Sequence, residues 1–244
     1  MQNHSSAILD PRNSSHFVTP VVLLATRIFA LLWIFVFGCW SLSIHGGSWF
    51  RFLTNLSWVG LFIFFSLAVT ASVYRHQQPS RAFQLSFDAF FATASTIPWI
   101  VTLIFWIFLN SQFRNQSTDL GRFMSFNPHV LNVFFVMVES ILSRNPLHSH
   151  GYLWPLLALC LYLNLSLILR YAYGIAWPYS FLSSMLETGA LLTITILFFA
   201  SIGVVILYMI AAKWASVRDH FFAVVEETDL EDRWVKDDES RDSF

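Results

Sequence analysis

The chain consists mainly of long apolar runs that are almost free of charged side chains and are separated by short polar stretches. Six of these runs reach the ~20 residues that a helix needs to cross a hydrocarbon core. They cover approximately residues 17–44, 52–74, 89–113, 123–143, 145–169 and 188–212. Transmembrane β-strands would instead alternate over about ten residues. The pattern therefore predicts an all-α membrane protein, a bundle of six transmembrane helices joined by short loops.

Composition supports this prediction. The 244 residues are 56% hydrophobic and 12% charged, whereas soluble domains carry about 25% charged residues. Since none of the loops is long enough to fold as a domain, we expect any chemistry to occur within the membrane layer or at its edge.

The net charge of −1 hides two oppositely charged parts of the chain. Residues 214–244 contain ten acidic and four basic residues, a net charge of −6, whereas the remainder contains five acidic and ten basic residues, a net charge of +5. We predict a polar N-terminal tail at 1–16, a transmembrane domain at 17–213 and an acidic C-terminal tail at 214–244. The first tail lacks the basic region of a cleavable signal, so the first helix is expected to remain as an anchor. No segment is both basic and polar enough to predict nucleic-acid binding.

An even number of spans places both termini on one side of the membrane. Six basic residues near the membrane lie on that side and four on the other, which favours cytosolic termini. The six are Arg12, Arg75, Arg81, Arg144, Lys213 and Arg218, and the four are Arg51, Arg114, Arg122 and Arg170. With this orientation, the sequon at Asn115 would face the lumen.

Ionisable groups inside membrane helices are costly and are candidates for function. His129 and Glu139 share the fourth predicted helix with Asn132, and at 100° per residue these three side chains fall within an arc of about 80°. Such a polar stripe must face protein or water rather than lipid. An ion pair between Arg27 and an acid such as Glu139 is the structural alternative for those two charges.

Thr54 opens the second predicted helix, and the topology places it in the same leaflet as His129. A hydroxyl beside an imidazole is the minimum for nucleophilic catalysis, because the histidine removes a proton that is otherwise too weakly acidic. The alternative is structural, since membrane threonines usually bond back to their own helix.

Three short segments, in order, resemble motifs of the androgen-induced-gene-1 family, which also includes the androgen-dependent TFPI-regulating protein. The run His45–Trp49 followed by Phe52–Thr54 is similar to its G-G-x-W…L-T signature. The fourth helix resembles its histidine-and-glutamate helix, and the segment Ala176–Leu182 (AWPYSFL) resembles its W-x-Y-P-F-L loop. The resemblance extends over residues 17–213.

The resemblance implies a multipass hydrolase, expected in the endoplasmic reticulum, that cleaves fatty acid esters of hydroxy fatty acids within the bilayer. The family's threonine nucleophile and histidine match Thr54 and His129, and Asn132 or Glu139 is the candidate to orient the imidazole. The aromatic residues Trp49, Trp177, Tyr179 and Phe181 are candidates for the acyl pocket, although an interfacial belt also explains tryptophans at this depth. Two departures leave the substrate open: the glycine segment is one residue further from Leu-Thr, and the aromatic loop reads Pro-Tyr-Ser-Phe.

Three other interpretations compete. The first is a non-enzymatic transporter or scaffold in which His129 and Glu139 relay a proton or form a structural pair, and the second is an acyltransferase that uses His129 and Asn132. The third is a metal site at His148 and His150, for which the sequence offers no nearby carboxylate. No metal or cofactor is predicted, and the two cysteines indicate no disulfide framework.

Overall fold

The computed structural model describes residues 15, 18–74, 79–115, 117–179, 183 and 198–222, without the side chains of residues 111 and 112. Within these ranges, six helical segments are long and apolar enough to cross a membrane, and no strand is present. They are Pro20–Arg51, Leu53–Val73, Arg81–Leu109, Asp119–Leu142, Leu153–Tyr171 and Phe198–Phe222. The predicted all-α class and the six spans are therefore confirmed.

Several spans are built from more than one helical element. In chain order the elements are α1 (Pro20–His45), a 3₁₀ segment (Gly46–Arg51), α2 (Leu53–Val73), α3 (Arg81–Ala94), α4 (Ile97–Ile104), a π segment (Phe105–Leu109), α5 (Asn110–Arg114), α6 (Asp119–Phe126), a second π segment (Asn127–Leu131), α7 (Asn132–Leu142), α8 (Leu153–Tyr171) and α9 (Phe198–Phe222).

Hydroxyl side chains define three of the helix starts. Thr19, Ser80 and Thr118 precede α1, α3 and α6, and each accepts a hydrogen bond from the backbone N–H three residues later, at 3.4, 3.2 and 3.1 Å respectively. Such caps satisfy one of the N–H groups that a first helical turn leaves unpaired. The third span therefore begins at Arg81, eight residues before the apolar run that the sequence indicated.

Two prolines lie where spans depart from regular α-helix. Pro98 is the second residue of α4, just after Thr96 leaves helical geometry with φ −124° and ψ −54°. Pro128 is the second residue of the π segment Asn127–Leu131. A proline cannot donate the intrahelical hydrogen bond and crowds the preceding turn, which accounts for the change of winding at these two places.

The start of the fifth span and the end of the sixth span differ from the bounds that the sequence predicts. The fifth span begins at Leu153, because residues 143–152 are not helical, although the apolar run begins near 145. The last helix continues to Phe222, beyond the expected limit of 213, and its Arg218 is only 4% exposed. This part of the predicted tail is thus packed against the bundle.

The second span lies at the centre of the described helices. It contacts α1, α3, α4 and the π segment Asn127–Leu131. In the main hydrophobic core, Phe64 packs with Phe87 and Phe91 of α3, and Phe65 packs with Phe135 of α7. The large apolar side chains that remain exposed are those that a surrounding bilayer would cover.

Successive spans run in opposite directions through the bundle, so each end of the bundle collects alternate helix termini. We call the end at which α1 finishes and α2 begins the distal end, and the end at which α1 begins the proximal end. The distal end also receives the start of α6 and the end of α8.

Candidate functional site

Thr54 is the second residue of α2 and is 5% exposed. The residue at the N-cap position of α2 is Phe52, whose side chain has no hydrogen-bonding atom, so no side chain caps this helix. The Thr54 hydroxyl lies 3.3 Å from the hydroxyl of Tyr179, and the Thr54 backbone N–H donates to the same tyrosine oxygen at 3.5 Å. The structure therefore brings together two of the residues that the sequence singled out, across 125 positions of the chain.

The Thr54 hydroxyl differs from seven other hydroxyls in the described spans. Those bond back to the carbonyl four residues earlier on their own helix, as expected for membrane helices. They are Thr26, Ser66, Thr70, Ser72, Thr93, Thr96 and Ser166. The structural explanation for a membrane threonine thus fits these residues and does not fit Thr54.

Two contacts hold Tyr179 and the segment that precedes it beside the start of α2. Its ring packs edge-on against Phe52, with centroids 5.6 Å apart, and the Arg51 guanidinium donates to the nearby carbonyl of Ala176. Burial raises the pKa of the Tyr179 phenol above its ordinary value, which the hydrogen bonds from Thr54 and Leu53 only partly oppose. The phenol therefore stays protonated near neutral pH and can donate a hydrogen bond.

The other aromatic candidates occupy different places. Trp49 is 4% exposed, belongs to the main core, and donates from its indole to the Ser41 hydroxyl at 2.9 Å. Trp177 is 8% exposed and its ring contacts Tyr171. Phe181 lies outside the described residues. Of the four, only Tyr179 is shown in contact with Thr54.

His129 lies within the π segment Asn127–Leu131, and its ring stacks on Phe105 of the other π segment, with centroids 4.0 Å apart and planes at 14°. The Thr102 hydroxyl donates to the His129 carbonyl oxygen, a group that a regular helix would use internally. The buried Nδ1 has no hydrogen-bond partner within the described part of the chain. π-helical turns occur frequently at functional sites.

Thr54 and His129 lie on neighbouring elements but are not joined by a hydrogen bond in the described structure. The element between them is α4: its Val101 shares a cluster of buried side chains with Leu53, and the next residue, Thr102, binds the His129 carbonyl. The shared depth that the topology indicated is consistent with this arrangement.

Two buried asparagines accompany His129. Asn127 accepts a hydrogen bond from the Trp33 indole at 3.3 Å, but its amide nitrogen has no partner among the described residues. Asn132 is fully buried, and neither of its amide atoms has a partner there. We refer to Thr54, Asn127, His129, Asn132 and Tyr179 as the distal cluster.

Glu139 lies elsewhere, about 15 Å further along the same span from His129. Its carboxylate binds the Arg27 guanidinium through Nε at 3.1 Å and Nη2 at 2.5 Å. Both side chains are buried, at 0% and 2% exposed. The ion pair that the sequence offered as an alternative is therefore present, and Glu139 does not contact the imidazole.

Further groups connect this pair to neighbouring helices. Arg27 also donates to the Ser72 hydroxyl at 2.6 Å, and Asn145 donates its amide to Glu139 at 3.1 Å. Arg218 donates to the carbonyls of Asn145 and Ser140 and pairs with Asp219. We refer to Arg27, Ser72, Glu139, Asn145 and Arg218 as the proximal network, in which every charge is paired and one amide oxygen, Oδ1 of Asn145, has no partner in the described part of the chain.

An apolar cavity of about 280 Å³ lies along α2 next to Thr54, which is not itself one of the lining residues. It lies between α2, α8 and the α3–α4 region, and Leu53 and Ser57 form its wall on either side of the threonine along α2. None of the residues that line it was predicted from sequence. Its wall combines Tyr162 with small and aliphatic side chains from three separate spans, and no local motif marks such a combination.

The histidine pair between the fourth and fifth spans has a carboxylate neighbour that sequence spacing did not reveal. His148 Nε2 lies 3.7 Å from Asp88, which sits on α3 because that helix begins early. The described residues nevertheless contain no group of three or more histidine, cysteine or acidic side chains placed to hold a metal.

The fold by itself defines the class of molecule, an integral, multipass helical membrane protein. Comparison of the chain with protein-family models, with curated proteins and with solved structures found no match. The resemblance to the androgen-induced-gene-1 family stays a prediction.

Proposed function

We propose that the protein is a membrane-embedded hydrolase of lipid esters, of the class of fatty acid esters of hydroxy fatty acids, with Thr54 as nucleophile and His129 as general base. The observation that supports it is the Thr54 hydroxyl. It is buried at the first turn of a helix, bonded to a tyrosine rather than to its own backbone, and adjacent to an apolar cavity.

In the proposed reaction, His129 takes the Thr54 proton as the hydroxyl oxygen attacks the ester carbonyl carbon. The resulting oxyanion accepts hydrogen bonds from the protonated Tyr179 phenol and from the Thr54 backbone N–H, which donates to the Tyr179 oxygen in the unliganded protein. Collapse breaks the ester C–O bond, and the imidazolium gives its proton to the departing alkoxide. A water that loses its proton to His129 then releases the fatty acid, and the proton returns to Thr54.

This mechanism requires the imidazole to come within hydrogen-bond distance of Thr54 when substrate is bound. The His129 ring is held by stacking on Phe105, and its Nδ1 has no partner to lose in the described structure. Catalytic hydrogen bonds are often long in unliganded enzymes and shorten with substrate. A transporter that relays protons between His129 and Glu139 lacks comparable support, because Glu139 is bound to Arg27.

Replacement of Thr54 tests the nucleophile. In purified protein in detergent, Thr54→Ala should lower kcat for branched fatty acyl esters by about 10³-fold or more. Thr54→Ser should retain measurable activity, and a fluorophosphonate probe should label the serine hydroxyl introduced at this position. The matched control is Thr70→Ala on the same helix, because the Thr70 hydroxyl is exposed and bonds only to Ser66.

Two results would reject the proposal. One is full activity in Thr54→Ala. The other is absence of esterase activity in the wild type together with proton-coupled transport in liposomes, which would favour the non-enzymatic alternative. His129→Ala should lose activity to a similar extent as Thr54→Ala, and the double variant should lose little more, because the two groups act as a unit.

We also propose cytosolic termini and residence in the endoplasmic reticulum. The balance of basic residues supports the orientation. With this orientation Asn115, which lies between the third and fourth spans, should be glycosylated, and an endoglycosidase should shift the mobility of the protein. A shift that requires Asn3 or Asn13 instead would invert the topology.

A further inference from the structure

The cavity beside Thr54 extends along α2 from this residue toward the middle of the bundle. Leu53, the neighbour of Thr54, forms one limit and Leu61 the other, which corresponds to about 12 Å along the helix. The opposite wall is formed by α8, from Leu165 back to Ala158. Since most of the wall is apolar, a hydrocarbon chain is favoured and a polar ligand is not.

The outer wall of the cavity faces the surrounding bilayer. Leu161 and Leu165, which line it on α8, are 62% and 37% exposed. In a membrane these side chains contact lipid tails, so a chain can enter the cavity sideways without crossing water. The volume of about 280 Å³ accommodates roughly nine groups the size of a methylene or water molecule.

Gly60 lies at the deep part of this cavity, six residues and about 9 Å along α2 from Thr54. A Cβ atom built on Gly60 would meet no other atom within 4 Å. A larger side chain at this position therefore enters open space rather than a packed helix contact.

We propose that this cavity binds one acyl chain of the ester on which Thr54 acts, and that Gly60 sets the length of chain that it accepts. The inference rests on the proposed hydrolase function. The chain lies along α2 with its carbonyl at Thr54, next to the Tyr179 hydroxyl that binds this residue. Chains longer than the cavity extend out between α2 and α8 into the bilayer.

The test is a chain-length series of acyl esters, from four to sixteen carbons, with purified wild-type, Gly60→Leu and Gly203→Leu proteins. Gly203 is the matched control, because a Cβ there also meets nothing within 4 Å and this residue of α9 does not line the cavity. In Gly60→Leu, the ratio of kcat/KM for the ten-carbon ester to that for the four-carbon ester should fall roughly tenfold or more. Gly203→Leu should keep the wild-type ratio.

Binding separates this inference from the proposed function. Displacement of a fluorescent fatty acid by fatty acids of increasing length is measured on Thr54→Ala protein, with and without Gly60→Leu. A shift to shorter chains with Gly60→Leu supports the cavity even if no ester is cleaved, in which case only the hydrolase proposal fails. If esters are cleaved but Gly60→Leu leaves both the length ratio and the displacement series unchanged, the cavity does not hold the acyl chain.

Discussion

The bundle contains two buried polar regions that differ in how well their groups are paired. The proximal network holds formal charges, yet each of them has a partner: Arg27 with Glu139, and Arg218 with Asp219. The distal cluster is mostly neutral, but an imidazole nitrogen and atoms of two asparagines are without partners in the described structure. The buried charges here join helices, whereas the neutral groups of the distal cluster are less completely satisfied.

The difference follows from the energetic cost of each kind of group. A buried charge without a counter-ion is far more costly than a buried amide without a hydrogen bond. The charges of the proximal network therefore have to be paired, and the network links α1, α2, α7 and α9 through Arg27, Ser72, Glu139 and Arg218. The distal cluster, which holds neutral groups, can remain incomplete at a smaller cost.

The largest expected effect comes from breaking the proximal pair. Arg27→Ala or Glu139→Ala should each lower the free energy of unfolding by about 3–5 kcal/mol, because one buried charge remains without its partner. The double variant Arg27→Met with Glu139→Leu should recover most of this loss, since no charge is left unpaired. Unfolding in detergent micelles measures both, and equal stability of the single and double variants would contradict the prediction.

A smaller effect of opposite sign is expected in the distal cluster. Asn132→Leu should raise the free energy of unfolding by about 1–3 kcal/mol, because it removes a buried amide that has no partner in the described structure. It should also lower esterase activity, as expected where a site is held at a cost in stability. The matched control is Asn145→Leu, which removes a hydrogen bond to Glu139 and should destabilise. Destabilisation by both changes would show that the two regions do not differ.

The smallest effect concerns Tyr179 and depends on pH. The folded protein raises the pKa of this phenol above its ordinary value near 10, so the unfolded chain ionises first as the pH rises. Stability should therefore fall above about pH 10, and should not change between about pH 7 and 9 on account of this group. Tyr179→Phe should lose less stability than the wild type between about pH 9 and 11, measured as the change in the urea midpoint. An identical pH dependence in both proteins would place the phenol in contact with water.

The six spans could be predicted because the bilayer fixes the length and polarity of each helix. Thr54 and Tyr179 could each be singled out, but their contact could not, because it joins positions 125 residues apart and Tyr179 lies in a segment between helices. The partner of Glu139 was one of two explanations that the sequence allowed, and only the packing of α1 against α7 selects Arg27. The cavity wall had no signal at all, since small and aliphatic residues occur throughout membrane helices.

The π segment Asn127–Leu131 has a consequence for how the fourth span encodes its faces. A turn closed by i→i+5 hydrogen bonds contains more residues than an α-turn. The positions that share one face of the helix are therefore offset by one residue on the two sides of the segment. The sequence pattern placed His129 and Glu139 within one arc by assuming about 100° per residue throughout. That assumption fails within the π segment, and the two side chains belong to different parts of the molecule. Deletion of a single residue in the segment would restore the regular repeat and leave the side chains on either side of it facing their present neighbours.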